Sequence, residues 1–418
     1  MSTILVRSRL TPRSRTGLGS TGYSREPSPR GATRCPNRGR RAVSSGKHPD
    51  VRRPVTAPDF LLSRPTGSVR TQGVARAYPD PADAALALRA GECDLVVGAV
   101  GFEPDAPAAL VEPEVIVRTD GPLEPPAYFR GIRTSARVAE EIPSPDEHRA
   151  RVTTALRGIR AGGVGKVVLA RAVRLVADEP IDPHAVCATL IDSSPAADGF
   201  LVDLSPAGGH YTGRVLVGSS PELLVRRRGD VVECHPLAGS APRDADPATD
   251  QASARALRES GKDAFEHAFV VDSIAAALAP LCEDLRIPEH PSLTSTREMW
   301  HLGTHIRGRI SDPRTTALDL ALAVHPTPAI CGTPTDEARR LIAGIEGPRG
   351  FYAGAVGWAD ADGDGDWMVS IRCAEIDAER TGALAWAGGG LVADSDPDDE
   401  VAETAAKLRT VLKAFNAS

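Results

Sequence analysis

Short β-rich runs crowd both sides of one long helical stretch, and this limits the folds open to the chain more than any other feature. The runs include "CDLVVGAVGF", "PEVIVR", "KVVLARAVRLVA", "GFLVDL", "RVLVGSS" and "ELLVRRRGDVVECHPL", then "AGAVGWA", "DWMVSIRCAEI" and "ALAWAGGGLVA". Turn residues punctuate them, as expected of strands. Helical patterns fall at about 146–161, 183–193, 250–282, 315–323, 334–345 and 398–415. Strands and helices do not alternate strictly. This predicts an α+β chain, one large domain of mostly antiparallel sheets packed with outer helices, and not a doubly wound dinucleotide fold.

At 418 residues, 41% hydrophobic and 25% charged, the chain is long enough to bury a sizeable core. Its charge is uneven. Residues 1–55 hold thirteen Lys and Arg against two acids, which leaves the remainder near −17 and without a nucleic-acid surface. The Arg-, Ser-, Gly- and Pro-rich residues 1–56 lack apolar periodicity and read as a disordered extension. Residues 57–418 form the expected domain. Seven cysteines (Cys35, Cys93, Cys187, Cys234, Cys282, Cys331 and Cys373) stand singly, arguing against a disulfide framework or zinc site. With no membrane-length apolar run and no secretory signal, a soluble cytoplasmic protein is expected.

Two helical segments share a charge geometry. In "SGKDAFEHAFVVDSIAAAL" the apolar stripe is read as Ala264, Ala268, Val271, Ala275 and Leu278, with Asp263 and Glu266 together off it. In the C-terminal segment the stripe is Val401, Ala405, Leu408, Leu412 and Phe415, with Glu400 and Glu403 at the same offset and Lys407 one turn on. Each segment presents an i, i+3 carboxylate pair. Such pairs either face water or gather around a hard cation such as Mg²⁺. Spacing alone leaves both readings open.

The ordered set "KVVLAR", "GSSPELL", "HPLAGSAPR", "KDAFEH", "MWHLGT", "HPTPAICGTP", "FYAGAVGW", "VSIRCAE", "AGGGLV" and "EVAETAAK" resembles the chorismate-utilising enzymes. These are the isochorismate, salicylate, anthranilate and aminodeoxychorismate synthases. The resemblance runs from about residue 57 to the end, and implies a chorismate-binding catalytic domain. It implies that Glu266 and Glu403 ligate Mg²⁺ directly, that Asp263 and Glu400 hold waters of the metal's shell, and that the metal binds the ring carboxylate of chorismate. Lys407 and Arg372 match residues near the carboxylates of this dianion, where Arg offers two-point recognition. Tyr352 falls where a hydroxyl meets the enolpyruvyl side chain. Gly388 and Gly390 allow backbone N–H groups to approach an anion, with Gly239 and Ser240 as candidates on the opposite side.

For the chemistry, the resemblance implies Lys166 as general base for water and Glu222 as the general acid that protonates the departing C4 hydroxyl. A lysine base needs a lowered pKa and a carboxyl acid a raised one. His301 is a candidate for orienting the ring. Ala329 in "HPTPAICG" separates branches: members that eliminate pyruvate or use ammonia usually carry Thr there, whereas isochorismate synthases carry Ala. The resulting expectation is a Mg²⁺-dependent isochorismate synthase, an isomerase feeding siderophore or menaquinone biosynthesis. It would be monomeric, without nucleic acid, membrane or an obligatory protein partner. The alternatives are a salicylate synthase, an anthranilate or aminodeoxychorismate synthase component, and a non-catalytic chorismate-binding subunit.

Overall fold

The computed structural model describes residues 57–417 and the backbone of one further strand, Ile4–Arg7, which pairs with Val115–Thr119. The rest of the extension, and Cys35, lie outside the described residues. Among the described residues, two large sheets of eleven and nine strands and a small three-stranded sheet make up the architecture. All strand pairings among the described residues are antiparallel, as the bunched runs predict. The fold is α+β.

One hydrophobic cluster joins Leu95–Val100 and Ala355–Asp360 of the nine-stranded sheet to Val167, Leu169 and Phe200 of the eleven-stranded sheet. A second, around Leu175, Leu190, Ala385, Leu408 and Phe415, lies under the helices Pro183–Ser193 and Pro397–Ala414.

Strands pass from sheet to sheet at a few breaks. Val215–Gly218 belongs to the larger sheet and Leu223–Arg228 to the nine-stranded one, so Ser219–Glu222 form the crossing. The single run expected over "DWMVSIRCAEI" is likewise two strands, Gly365–Val369 and Cys373–Ile376, in different sheets. Arg372 sits at that break with φ of 51°, the left-handed region that non-glycine residues seldom occupy.

The helical stretch 250–282 is also two elements, Pro247–Glu259 and Gly261–Leu278. Ser260 divides them: its extended backbone cannot continue a helix, and its side chain accepts from Asp263 N as the cap of the second. Gly261 adds a poor helix former at the junction. Helices Pro81–Arg89 and Ala127–Arg130 were not expected; the second is one turn, too short for a periodicity to register.

Candidate active site

A cavity lies where the sheets exchange strands. Its walls include Glu222, Gly239, Ser240, Glu266, His301 and Ala329, and also Tyr352, Arg372, Gly388, Gly390, Glu403 and Lys407. Its non-atom space, mouth included, is about 650 Å³. Of the sequence candidates, Lys166, Asp263 and Glu400 stand behind this lining. Lys166 meets it through Glu266, whose Oε1 is 3.0 Å from the ammonium.

Period-two alternation explains one wall. Along Gly382–Leu391, Ala383, Ala385 and Ala387 pack toward the outer helices, while Trp386, Gly388 and Gly390 fall on the other face and line the cavity, which Ala387 also borders. Across the ladder Gly390 pairs with Val168 and Gly388 with Ala170. Lys166 shares the face of Val168 for the same reason. A Cβ at Gly390 would sit 2.2 Å from Glu266 Oε1 and 3.1 Å from Lys166 Cε, so a side chain there would expel the carboxylate. Gly239 has φ of 76° and a Cβ there would press on Asp263 at 3.0 Å, so glycine lets strand and helix meet.

Both helical stripes differ from the sequence reading. In Gly261–Leu278 the buried residues are Glu266, His267, Val270, Ile274 and Leu278, whereas Ala264 and Ala268 are exposed and Val271 and Ala275 only half-buried. Alanines fit either face, so they misplaced the stripe; the β-branched Val270 and Ile274 mark the packed side. Glu266 therefore lies on the inward face, and His267 anchors it, with Nε2 at 2.7 Å from Thr304 Oγ1 and Nδ1 at 3.2 Å from Ala238 O. In Pro397–Ala414, Glu400 and Thr404 are buried beside Leu408 and Val411, while Val401, Ala405 and Leu412 are half-buried. Asp396 caps this helix by accepting from Asp398 N and Asp399 N.

The carboxylates face one another electrostatically. Burial, then Glu403, lifts the Glu400 carboxyl to about 8, although Lys262 lies 3.6 Å from its Oε1. Ser395 hydrogen-bonds to this carboxyl, and Glu400 Oε2 is buried with no partner at hydrogen-bond distance among the described residues. Burial also raises Asp263, with Glu266 and Glu403 adding to it. Glu403 goes the other way: burial opposes its charge, but Lys407, which hydrogen-bonds to it, holds it below the usual carboxylate range. Among the described residues no three His, Cys, Asp or Glu are placed so that they alone could hold a metal ion. Four neighbouring carboxyl groups with one orphaned oxygen nevertheless fit a hydrated hard cation, which needs few direct protein ligands.

Around the remainder of the cavity, cations and hydrogen-bonding groups stand ready for an anion. Arg372 is 4% exposed; Nη2 lies 3.4 Å from His301 Nε2, and Nη1 has no hydrogen-bond partner among the described residues. Burial, then Arg372 and Lys407, hold His301 well below its usual pKa, so it is neutral and accepts from Arg372. Lys407 donates to Gly388 O at 2.9 Å. The buried Tyr352 ring stacks on Trp386 at 5.7 Å. Glu222 is 3% exposed, and burial pushes its carboxyl up to about 7 against the opposing pull of the Leu237 backbone N–H, Lys166, Lys407 and Arg372.

Sequence reasoning missed Trp386, although its period-two spacing from Gly388 was a signal. It also missed Lys262, which lies inside "KDAFEH". Val168, Leu237, Ile330 and Ile371 are further wall residues, ordinary apolar side chains with no such signal.

Residues 125–416 match the family model described as chorismate binding enzyme. A Mycobacterium tuberculosis protein provisionally named isochorismate synthase MenF is 50% identical over 360 residues, covering 86% of this chain and 96% of that one. Isochorismate synthase DhbC of Bacillus subtilis is 46% identical over 323 residues, 77% of this chain and 80% of the relative. A solved structure from Bacillus anthracis, provisionally named a 2,3-dihydroxybenzoate-specific isochorismate synthase, DhbC, superposes with a TM-score of 0.78 at 35% identity. It spans 86% of this chain and 96% of its own. With the match extending over most of the chain, this protein belongs to the family of chorismate-binding enzymes.

Proposed function

We propose that the protein is a Mg²⁺-dependent isochorismate synthase, converting chorismate to isochorismate. The observation that carries this reading is a buried carboxyl poised near neutrality, Glu222, in the wall of an anion-ready cavity with the buried Lys166 behind that lining, paired to Glu266. The names and similarity of its relatives support the same branch. Ala329 supports it further, because that wall has no hydroxyl to assist pyruvate loss.

In the reaction, water adds at C2 while the C4 hydroxyl departs and the double bonds shift between them; one water enters, one leaves, and nothing is oxidised. Lys166 accepts the proton of the attacking water, as the family resemblance implies. Glu222, protonated, donates to the departing hydroxyl, for which a carboxyl near 7 is suited. Arg372 Nη1 and Lys407 bind the substrate's carboxylates, Tyr352 holds the enolpyruvyl side, and neutral His301 orients the ring. Bound Mg²⁺, with Glu266 and Glu403 as ligands and Asp263 and Glu400 holding its waters, would neutralise and orient the ring carboxylate. The six described cysteines are free and buried, which supports a reducing cytoplasmic setting.

The test is incubation with chorismate and Mg²⁺, with and without EDTA, and chromatography of the products. Isochorismate without stoichiometric pyruvate, lost on chelation, is expected. Salicylate with pyruvate would make the protein a salicylate synthase, and no turnover even with ammonia would leave a binding subunit.

A further inference from the structure

The central strand Lys166–Ala177 is incomplete along one edge. Its other edge is paired from Val167 to Val176 with Gly382–Leu391. On the incomplete edge, Ala136–Ile142 covers residues 172–177, and Gly332–Thr333 covers Lys166 and Val167, with Cys331 O accepting from Val168 N at 2.8 Å. Among the described residues no strand pairs with 169–171 on this edge. This interruption begins three residues beyond Lys166 and next along the strand to Val168, which lines the cavity.

Two side chains occupy it. Glu346 Oε1 accepts from Ala170 N at 2.6 Å, and Arg349 Nη2 donates to Val168 O at 2.8 Å. Arg349 is fully engaged with its surroundings: Nε donates to Glu346 Oε2 and Nη2 to Glu346 Oε1, both at 2.9 Å, and Nη1 donates to Ile330 O at 2.8 Å. Its guanidinium lies over Phe102 at 4.6 Å and faces the Tyr352 ring at 6.0 Å, while Tyr352 N donates to its carbonyl at 3.1 Å. The pair is almost wholly excluded from water, its side chains 2% and 7% exposed. A buried ion pair is a poor source of stability in itself, but its directional bonds fix geometry.

We propose that Arg349 and Glu346 are positioning residues that stand in for the missing strand, locking Val168, Ile330 and Tyr352 into one cavity wall and thereby setting the position of Lys166 and Ala329. Neither residue touches the cavity. The planar fork is what reaches Glu346, Val168 O and Ile330 O at once, and a lysine ammonium cannot reproduce that geometry. The kinetic part of this inference rests on the isochorismate synthase reading; the structural part does not.

The experiment compares the full-length protein with Arg349→Lys and Glu346→Gln, using chorismate kinetics, thermal melting and peptide-resolved amide hydrogen exchange. For Arg349→Lys, kcat is expected to fall roughly 10- to 100-fold, the scale of a displaced catalytic group. Exchange should quicken in peptides spanning 166–171 and 327–331 while that of Leu95–Val100, in the other sheet, stays as in the parent. Glu346→Gln keeps an acceptor for Ala170 N and should show the same pattern, weaker; it decides the matter if the lysine variant does not fold. An unchanged kcat per folded protein, or exchange that rises alike in both sheets, would overturn the proposal by reducing the pair to a general stabiliser. Should the parent fail to turn over chorismate, the reaction reading falls, and the exchange pattern alone supports or overturns the positioning role.

Discussion

Glu222 joins burial to chemistry in one side chain. Its carboxyl, ordinarily near 4.5, is pushed up to about 7 by burial in the folded protein. The folded state therefore retains a proton that the unfolded chain releases, and stability declines as pH rises from 4.5 to 7. Glu222→Gln should remove that slope, so its melting temperature gains on the parent's between pH 5 and pH 8 even as turnover is lost. In the parent, kcat/KM should fall as pH rises through about 7, because the acid must be protonated to donate; a pH–rate profile flat from 6 to 9 would contradict that role. Lys166→Ala should abolish water addition, measured as isochorismate formed. Glu403→Gln should raise the Mg²⁺ concentration needed for half-maximal activity sharply, or remove activity, whereas an unchanged Mg²⁺ titration would remove Glu403 from the ligand set.

At the scale of elements, the site depends on two helices entering it in the right rotation. The Pro397–Ala414 helix is pinned at its start by Asp396 and within by Thr404, whose hydroxyl accepts from Arg171 Nε at 3.0 Å. Asp396→Ala should cost about 1 kcal/mol, as loss of an N-cap does, seen as a lower melting temperature. Because Glu400 lies in the first turn, the same variant should also weaken the apparent Mg²⁺ affinity. The Gly261–Leu278 helix begins at Ser260 for the same physical reason, and its capping places Asp263 beside Gly239.

Over the whole molecule, the Ile4–Arg7 strand extends the end of the larger sheet at Val115–Thr119, several strands from Lys166–Ala177. Deletion of residues 1–56 is accordingly expected to leave kcat within about twofold, since catalytic geometry rests on nearby groups; a large fall would tie the extension to catalysis. Much of this architecture is legible in the sequence. Strand-forming runs, the alternation of "ALAWAGGGL" and the cap residues Ser260 and Asp396 are local properties, and the ordered motifs name the side chains that gather at the cavity. Other features are not local. Alanine-rich helices do not reveal which face packs, so their pattern puts Glu266 and Glu400 off the stripe although both are buried. The run "DWMVSIRCAEI" concealed its break at Arg372, because only the two sheets require it. The Arg349–Glu346 pair answers a gap formed by strands distant in the chain. Periodicity, capping and residue type are local, and they are enough to specify the elements and the chemical inventory. Which faces meet, which carboxyls are lifted and which ladder is left open depend on burial and proximity between residues that are remote along the chain.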